Sequence, residues 1–266
     1  MREMHLVMQG KGGVGKTFVS VLLSQFFRSK NRLVNCINTD PVNQSFIKFN
    51  NLYVVNVEIF DENKNIDKSK FDDLIEILDK YNAEEIVVID NGASSFVPFR
   101  SYIKDSDILN FIKNEMNYKV IIHVPIVGGQ AQQDTVDGCK EILADLNNPD
   151  LVIWANHFFG DVTYDFNEFK NDHLLGVVEL KKYDQDTFGR DILKMTSEGL
   201  TFDEVIKSTN FSIMAKHRLE KFKNEVFSQL DNIFPEQPTE VLDKEEEAVE
   251  EPAVNRHSLS ENDEEN

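Results

Sequence analysis

The 266-residue chain has two cysteines, one tryptophan and no apolar run near the roughly 18–20 residues that a bilayer span requires. Cys36 and Cys139 cannot build a disulfide framework, so a stapled mini-protein is excluded and a soluble protein of a reducing compartment, the cytoplasm, is expected. Met1 to Gln9 runs too soon into a glycine loop to read as a secretory leader. Positive charge is also scarce: 28 Lys and Arg face 47 Asp and Glu, a net of −19. Residues 236–266 hold 12 acidic and 2 basic side chains, a net of −10, which leaves −9 for the 235 residues before them. Such a body exerts no long-range attraction on nucleic acid or anionic lipid, so nucleic acid is not expected as a direct partner; a local basic patch remains compatible with it. The six histidines fall at no metal-ligand spacing.

What is present is apolar material for one sizeable core, 41% of the residues. Apolar runs that read as strands recur at helical intervals: His5–Gln9, Leu33–Thr39, Tyr53–Ile59, Ile86–Asp90, Lys119–Val124, Leu151–Ala155 and Leu174–Glu179. Several are continuous rather than alternating, as in strands covered on both faces. Helical patterns lie between them at Thr17–Ser29, Lys68–Tyr81, Ser106–Met116 and Ala131–Leu146. A last pattern, Ile213–Ile233, puts Leu219, Phe222, Val226, Leu230 and Ile233 on one stripe. Alternation of this kind predicts an α/β fold, a mostly parallel central sheet with helices on both faces, over residues 1–235. Residues 236–266, with Pro238, Pro252 and the Glu245–Glu247 run, show no apolar period and read as a disordered acidic tail.

The informative segment is Gly10-Lys11-Gly12-Gly13-Val14-Gly15-Lys16-Thr17, a match to G-x-x-x-x-G-K-[ST] set between a strand and a helix. Glycines let backbone N–H groups approach phosphate oxygens, and the start of the following helix adds its positive dipole end. Lys16 is placed to reach the β- and γ-phosphates and Thr17 to ligate Mg²⁺. Ile86-Val87-Val88-Ile89-Asp90 is a Walker B pattern, with Asp90 holding Mg²⁺ through water and Gly92 offering its N–H to the γ-phosphate.

The second lysine, Lys11, makes this run resemble the deviant Walker A motif of ParA/MinD-type P-loop ATPases, the SIMIBI class of P-loop NTPases. The resemblance implies a nucleotide-sandwich homodimer in which Lys11 reaches the phosphates held by the other subunit, much as an arginine finger does in trans. It also makes Asn38-Thr39-Asp40-Pro41 similar to switch I, with Asp40 orienting the attacking water or the Mg²⁺ shell. Asn38 departs from the family by standing where a first acid is expected. Asn156, at the end of the strand Leu151–Ala155, resembles the base reader, and the same residue would serve equally as a turn cap. No Asn-Lys-x-Asp guanine motif is present, so ATP is expected over GTP. Within the family the similarity is greatest to TraL-type proteins of conjugative plasmids, carried by Met4–Gln9, Phe18-Val19-Ser20, Asp40-Pro41-Val42-Asn43, Gly128-Gly129-Gln130, Asp134-Thr135 and Asp186–Gly189.

The resemblance thus implies a slow, partner-stimulated, Mg²⁺-dependent ATPase switch, with conjugation or secretion-system proteins as partners. No integral membrane segment is expected, and any recruitment to a membrane complex would be peripheral. A nucleotide-dependent scaffold with negligible hydrolysis, to which Asn38 points, and a metabolic P-loop kinase or ligase are the alternatives.

Overall fold

The structure, a computed structural model, describes residues 2–63, 65–147, 149–169 and 173–235; the expectation of a disordered tail over 236–266 lies outside them. Seven strands form one sheet in the order β3-β2-β4-β1-β5-β6-β7. They are β1 (Arg2–Val7), β2 (Val34–Asn38), β3 (Val55–Asn56), β4 (Ile86–Asp90), β5 (Tyr118–Val127), β6 (Asp150–Asn156) and β7 (Leu174–Leu180). Every pairing is parallel, so the chain returns across a face between successive strands.

The crossovers carry α1 (Lys16–Ser29), α2 (Phe71–Asp79), α3 (Phe96–Asp105), the short α4 (Ile108–Asn110) and α5 (Gln132–Asp145), and α6 (Arg190–Ser197), α7 (Phe202–Lys207) and α8 (Ile213–Ile233) follow the last strand. Strand periodicity divides the core between two faces. Met4, Leu6, Val87, Ile89, Val120 and Ile122 point into one layer with α2, α3 and α5. Ile86, Val88, Ile121, Val152 and Trp154 point into the other, with α1, α7 and α8. Residues adjacent in sequence are therefore both buried, which is why β4 reads as an unbroken apolar run. The stripe on α8 packs inward through Leu219, Phe222, Val226 and Leu230.

Two expectations need correction. The run Tyr53–Ile59 contributes only Val55–Asn56 to the sheet, because β3 is an edge strand: after Val57 N–H donates to Asn38 O at 2.9 Å the chain peels away. The stretch Ser106–Met116 is no continuous helix; Asp107 sits at φ 51, in the left-handed region, and a short α4 and one wide turn (Phe111–Glu115) follow. Its apolar period is genuine, since Leu109, Ile112 and Met116 are buried, but the regular helix lies earlier, at α3. The helices α6 and α7 were not expected from the sequence pattern.

Candidate nucleotide-binding site

The site is built at the C-terminal ends of β1, β2, β4 and β6, where an open parallel sheet leaves a crevice. β1 leads into the loop Gly10–Gly15, and α1 starts at Lys16. Gly15 takes φ 98 directly before the helix, a conformation that costs a Cβ-bearing residue about 1–2 kcal/mol. Gly10 has a different reason: a Cβ there would stand 2.9 Å from the buried Phe96 ring at the start of α3.

Two expected ligating groups are already joined. Thr17 Oγ1 donates to Asp90 Oδ2 at 2.7 Å, and Ser20 Oγ, one turn further along α1, donates to Asp90 Oδ1 at 3.1 Å. Burial pushes the Asp90 carboxyl up to about 6, against the opposing pull of these two hydroxyls and of Lys16. Lys16 itself is buried, and burial lowers its ammonium from the ordinary lysine value while Asp90 and Asp40 work in the other direction. Its Nζ donates to Lys11 O at 3.0 Å, bridging the loop from within.

Asp40 arrives from the end of β2. Its Oδ1 accepts from the N–H groups of Val42 and Asn43, both at 2.9 Å, which fixes the turn at Pro41. Gly92 presses against it: a Cβ on Gly92 would lie 2.6 Å from Asp40 Cγ. Asn38, where the family resemblance places an acid, donates through Nδ2 to Asn56 Oδ1 at 2.8 Å and to Asp40 O at 3.2 Å. Its Oδ1, like Asn91 Oδ1, is buried without a hydrogen-bond partner among the described residues.

Asn156 touches the phosphate loop from the other side. Its Nδ2 donates to Val14 O and its Oδ1 accepts from Phe158 N–H, each at 3.1 Å, so the side chain caps the turn after β6 and braces the loop together. Lys11 points elsewhere: its Nζ lies 2.6 Å from Asp134 Oδ2 in the first turn of α5, with both side chains about half exposed.

Beside the loop lies a cleft of about 760 Å³ whose walls include Gly13, Gly15, Thr17, Asn156, Phe158 and Phe159. The two phenylalanines meet edge to face at 4.9 Å and are half exposed, an aromatic wall beside the loop. The structure thus brings Gly10–Thr17, Asp40, Asp90, Gly92 and Asn156 to one place and leaves Lys11 at its rim. Sequence reasoning missed Ser20, although its spacing from Lys16 and Thr17 places it on the same helix face. It also missed Gln9, whose buried side chain accepts from Gly10 N–H and donates to Pro125 O and Thr135 O. Nothing in the sequence around Gln9 distinguishes that role.

The donors suit a small hard cation. Hydroxyl and carboxylate oxygens from Thr17 and Asp90 adjoin each other, and two buried amide oxygens, on Asn38 and Asn91, have no partner among the described residues. Among the described residues no group of three or more His, Cys, Asp or Glu is placed to hold a metal ion by itself.

No family model matches the chain. Among solved structures it is similar to the MinD cell division protein of Aquifex aeolicus, at 13% identity and a TM-score of 0.46, covering 85% of this chain and 97% of that one. It is also similar to a plasmid partition protein of Borrelia burgdorferi bound to AMPPNP, at 16% identity and a TM-score of 0.46, covering 86% and 100%. Two curated relatives, both Protein TraL of Escherichia coli, are 32% and 33% identical over 241 and 242 residues, 87% of this chain and 98% of each relative. On that identity across nearly the whole of both relatives, the chain belongs to the TraL family.

Proposed function

We propose that this chain is an ATP-dependent molecular switch that binds ATP with Mg²⁺ in the cleft beside Gly10–Thr17, closes as a homodimer and hydrolyses ATP slowly. The observation that carries the reading is the convergence of Lys16, Thr17, Asp40, Asp90 and Gly92 around one glycine loop, whose Gly13, Gly15 and Thr17 also line a cleft of about 760 Å³.

Each side chain then has a task. Lys16, drawn inward by the loop, meets the β- and γ-phosphates, and Thr17 and Asp90 hold the metal, Asp90 through water. Bound Mg²⁺ supplies neutralisation of phosphate charge. Asp40, packed on Gly92, orients the attacking water, and the N–H of Gly92 meets the γ-phosphate, so both switch segments sense whether that phosphate is present. Asn156 reads the base: with one N–H given to Val14 and one lone pair used by Phe158, its amide keeps one donor and one acceptor, which suits adenine.

Lys11 acts across the dimer. Its ion pair with Asp134 is half exposed, and such pairs contribute roughly 0–1 kcal/mol, so a partner's triphosphate outcompetes it. By family resemblance the readout is recruitment of conjugation or secretion-apparatus proteins, in the cytoplasm or peripherally at a membrane complex.

The test pairs two variants. Lys16→Ala should abolish binding of a fluorescent ATP analogue. Lys11→Ala should retain it while losing phosphate release and the ATP-dependent mass increase seen by light scattering. Turnover by Lys11→Ala at the wild-type rate would remove the trans-acting lysine from the account.

A second reading, a nucleotide-dependent scaffold with negligible hydrolysis, is favoured by Asn38 alone, whose amide is tied to Asn56 and carries no charge to the site. Multiple-turnover phosphate release with and without partner proteins separates the two.

A further inference from the structure

The entry of the phosphate loop is held by one side chain that the proposed chemistry does not use. Pairing of β1 with β5 breaks off where the loop begins. Met8 N–H still donates to His123 O at 3.1 Å. The next step of a parallel ladder would bring Gly10 N–H to Pro125 O, and Pro125 has no N–H to give in return. The carboxamide of Gln9 fills that gap as a peptide group would. Its Oε1 accepts from Gly10 N–H at 2.8 Å, and its Nε2 donates to Pro125 O at 3.2 Å. The second N–H of Nε2 goes to Thr135 O of α5, at 2.9 Å. Both donors are spent and the carbonyl oxygen has a partner, in a side chain with no exposed surface.

α5 makes room for this group, since a Cβ on Gly138 would stand 2.2 Å from Gln9 Oε1. Thr135 is itself buried and accepts at Oγ1 from Val127 N–H at 3.2 Å, which anchors this turn of α5 to the end of β5. Two bonds of the carboxamide land beside the two partners of the exposed ion pair. Gly10 directly precedes Lys11, and Thr135 directly follows Asp134, whose Oδ2 lies 2.6 Å from Lys11 Nζ. Gln9 and Lys11 therefore span the same gap, one inside and one outside. Thr17 and Asp90, by contrast, are held by each other and by Ser20, in bonds in which Gln9 takes no part.

We infer that Gln9 is a positioning residue for Lys11: its carboxamide fixes the entry of the phosphate loop against α5, and so sets the point from which the Lys11 ammonium reaches the triphosphate held by a second copy of this chain. The inference rests on the trans-acting role proposed for Lys11 and extends it to a residue that does not line the cleft. A misplacement of about 1 Å can cost on the order of a hundredfold in rate, so a lysine that crosses to another subunit needs a fixed starting point.

Two variants disturb the carboxamide from opposite sides. Gln9→Met, of similar length, removes its polar atoms, and Gly138→Ala keeps Gln9 but crowds its Oε1. Each is expected to bind the fluorescent ATP analogue, and to show a KM for ATP, within about twofold of the parent, while kcat for phosphate release falls roughly tenfold or more. Mixing supplies a readout that a merely structural role would not move. Asp40→Ala keeps a well-placed Lys11 but lacks the residue that orients water in its own site. A mixture of Gln9→Met with Asp40→Ala should therefore turn over about threefold or more faster than either alone, each Gln9→Met site receiving Lys11 from its partner. Gly138→Ala, which leaves every polar group in place, carries both measurements where Gln9→Met fails to fold. Folded variants with the parent kcat, losses of affinity that match the losses in kcat, or a mixture no faster than its components would each overturn the inference. A parent that gains no mass and releases no phosphate with ATP would remove the switch reading itself, and the role of Gln9 with it.

Discussion

Single residues at the site carry sharply different burdens. Asn38 is fully buried and its amide nitrogen serves two acceptors, Asn56 Oδ1 and Asp40 O. An aspartate there would set carboxylate oxygens against both and bury a charge beside Asp40 and Asp90. Asn38→Asp should therefore cost the nucleotide-free protein about 1–3 kcal/mol in denaturant unfolding, and added Mg²⁺ with ATP should recover part of it. No recovery by metal would mean that Asn38 faces no cation. Gly92 is bound by space rather than charge, since a methyl group would collide with both Asp40 Cγ and Cα. Gly92→Ala should shift Asp40 and reduce phosphate release by roughly tenfold or more, with ADP affinity nearly unchanged. Positions such as Thr17 and Asp90 were legible in the sequence because loop and strand end at fixed offsets from them. Gln9 and Asn56 were not, because side-chain partners more than a strand away leave no local spacing to read.

At the scale of elements, the strands were easier to read than the helices. Burial on both faces turns central strands into unmistakable apolar runs, whereas the edge strand β3 has Val55 and Asn56 exposed and depends on one neighbour only. α3 was hidden by Pro98, which reads as a helix breaker; it occupies the third helical position, where the missing N–H has no intrahelical partner to lose. α6 and α7 were hidden by length, being too short to show a repeated stripe. The six residues of α7 instead rely on a capping box, in which Thr201 Oγ1 accepts from Glu204 N–H and Glu204 Oε2 accepts from Thr201 N–H at 2.8 Å. Thr201 is buried, and truncating such a cap typically costs about 1 kcal/mol. Thr201→Ala should therefore lower the unfolding free energy by about that amount, measured by denaturant titration, and leave nucleotide affinity at the wild-type value.

Across the whole molecule, the sheet carries a polar chain through its centre that links β6, β5 and β1. Trp154 Nε1–H can only donate, and it donates to His123 Nδ1 at 3.0 Å. Neutral His123 must then hold its proton on Nε2 and donate to His5 Nδ1, 2.9 Å away, which leaves the His5 proton on Nε2, with Glu3 Oε2 at 3.7 Å. Both imidazoles are fully buried, and burial drives both below the ordinary histidine value, His123 well below it, with Lys119 and Arg32 adding to the effect at His5 and Glu3 opposing it. A histidine depressed in the folded state takes up protons preferentially on unfolding, so its stabilising contribution is present above about pH 6.5 and is lost as pH falls from there toward the folded-state values. Asp90 works in the opposite sense, because its raised carboxyl favours the folded state at low pH and that advantage is lost as pH rises through about 6. The two effects separate by comparison of variants. His123→Gln keeps an acceptor for Trp154 and a donor for His5 but cannot titrate, and Asp90 is common to both proteins. Between pH 7 and pH 5 the variant should therefore lose less unfolding free energy than the parent, read as a shallower slope of denaturant midpoint against pH; parallel slopes would mean that the pair does not set the acid sensitivity of the fold.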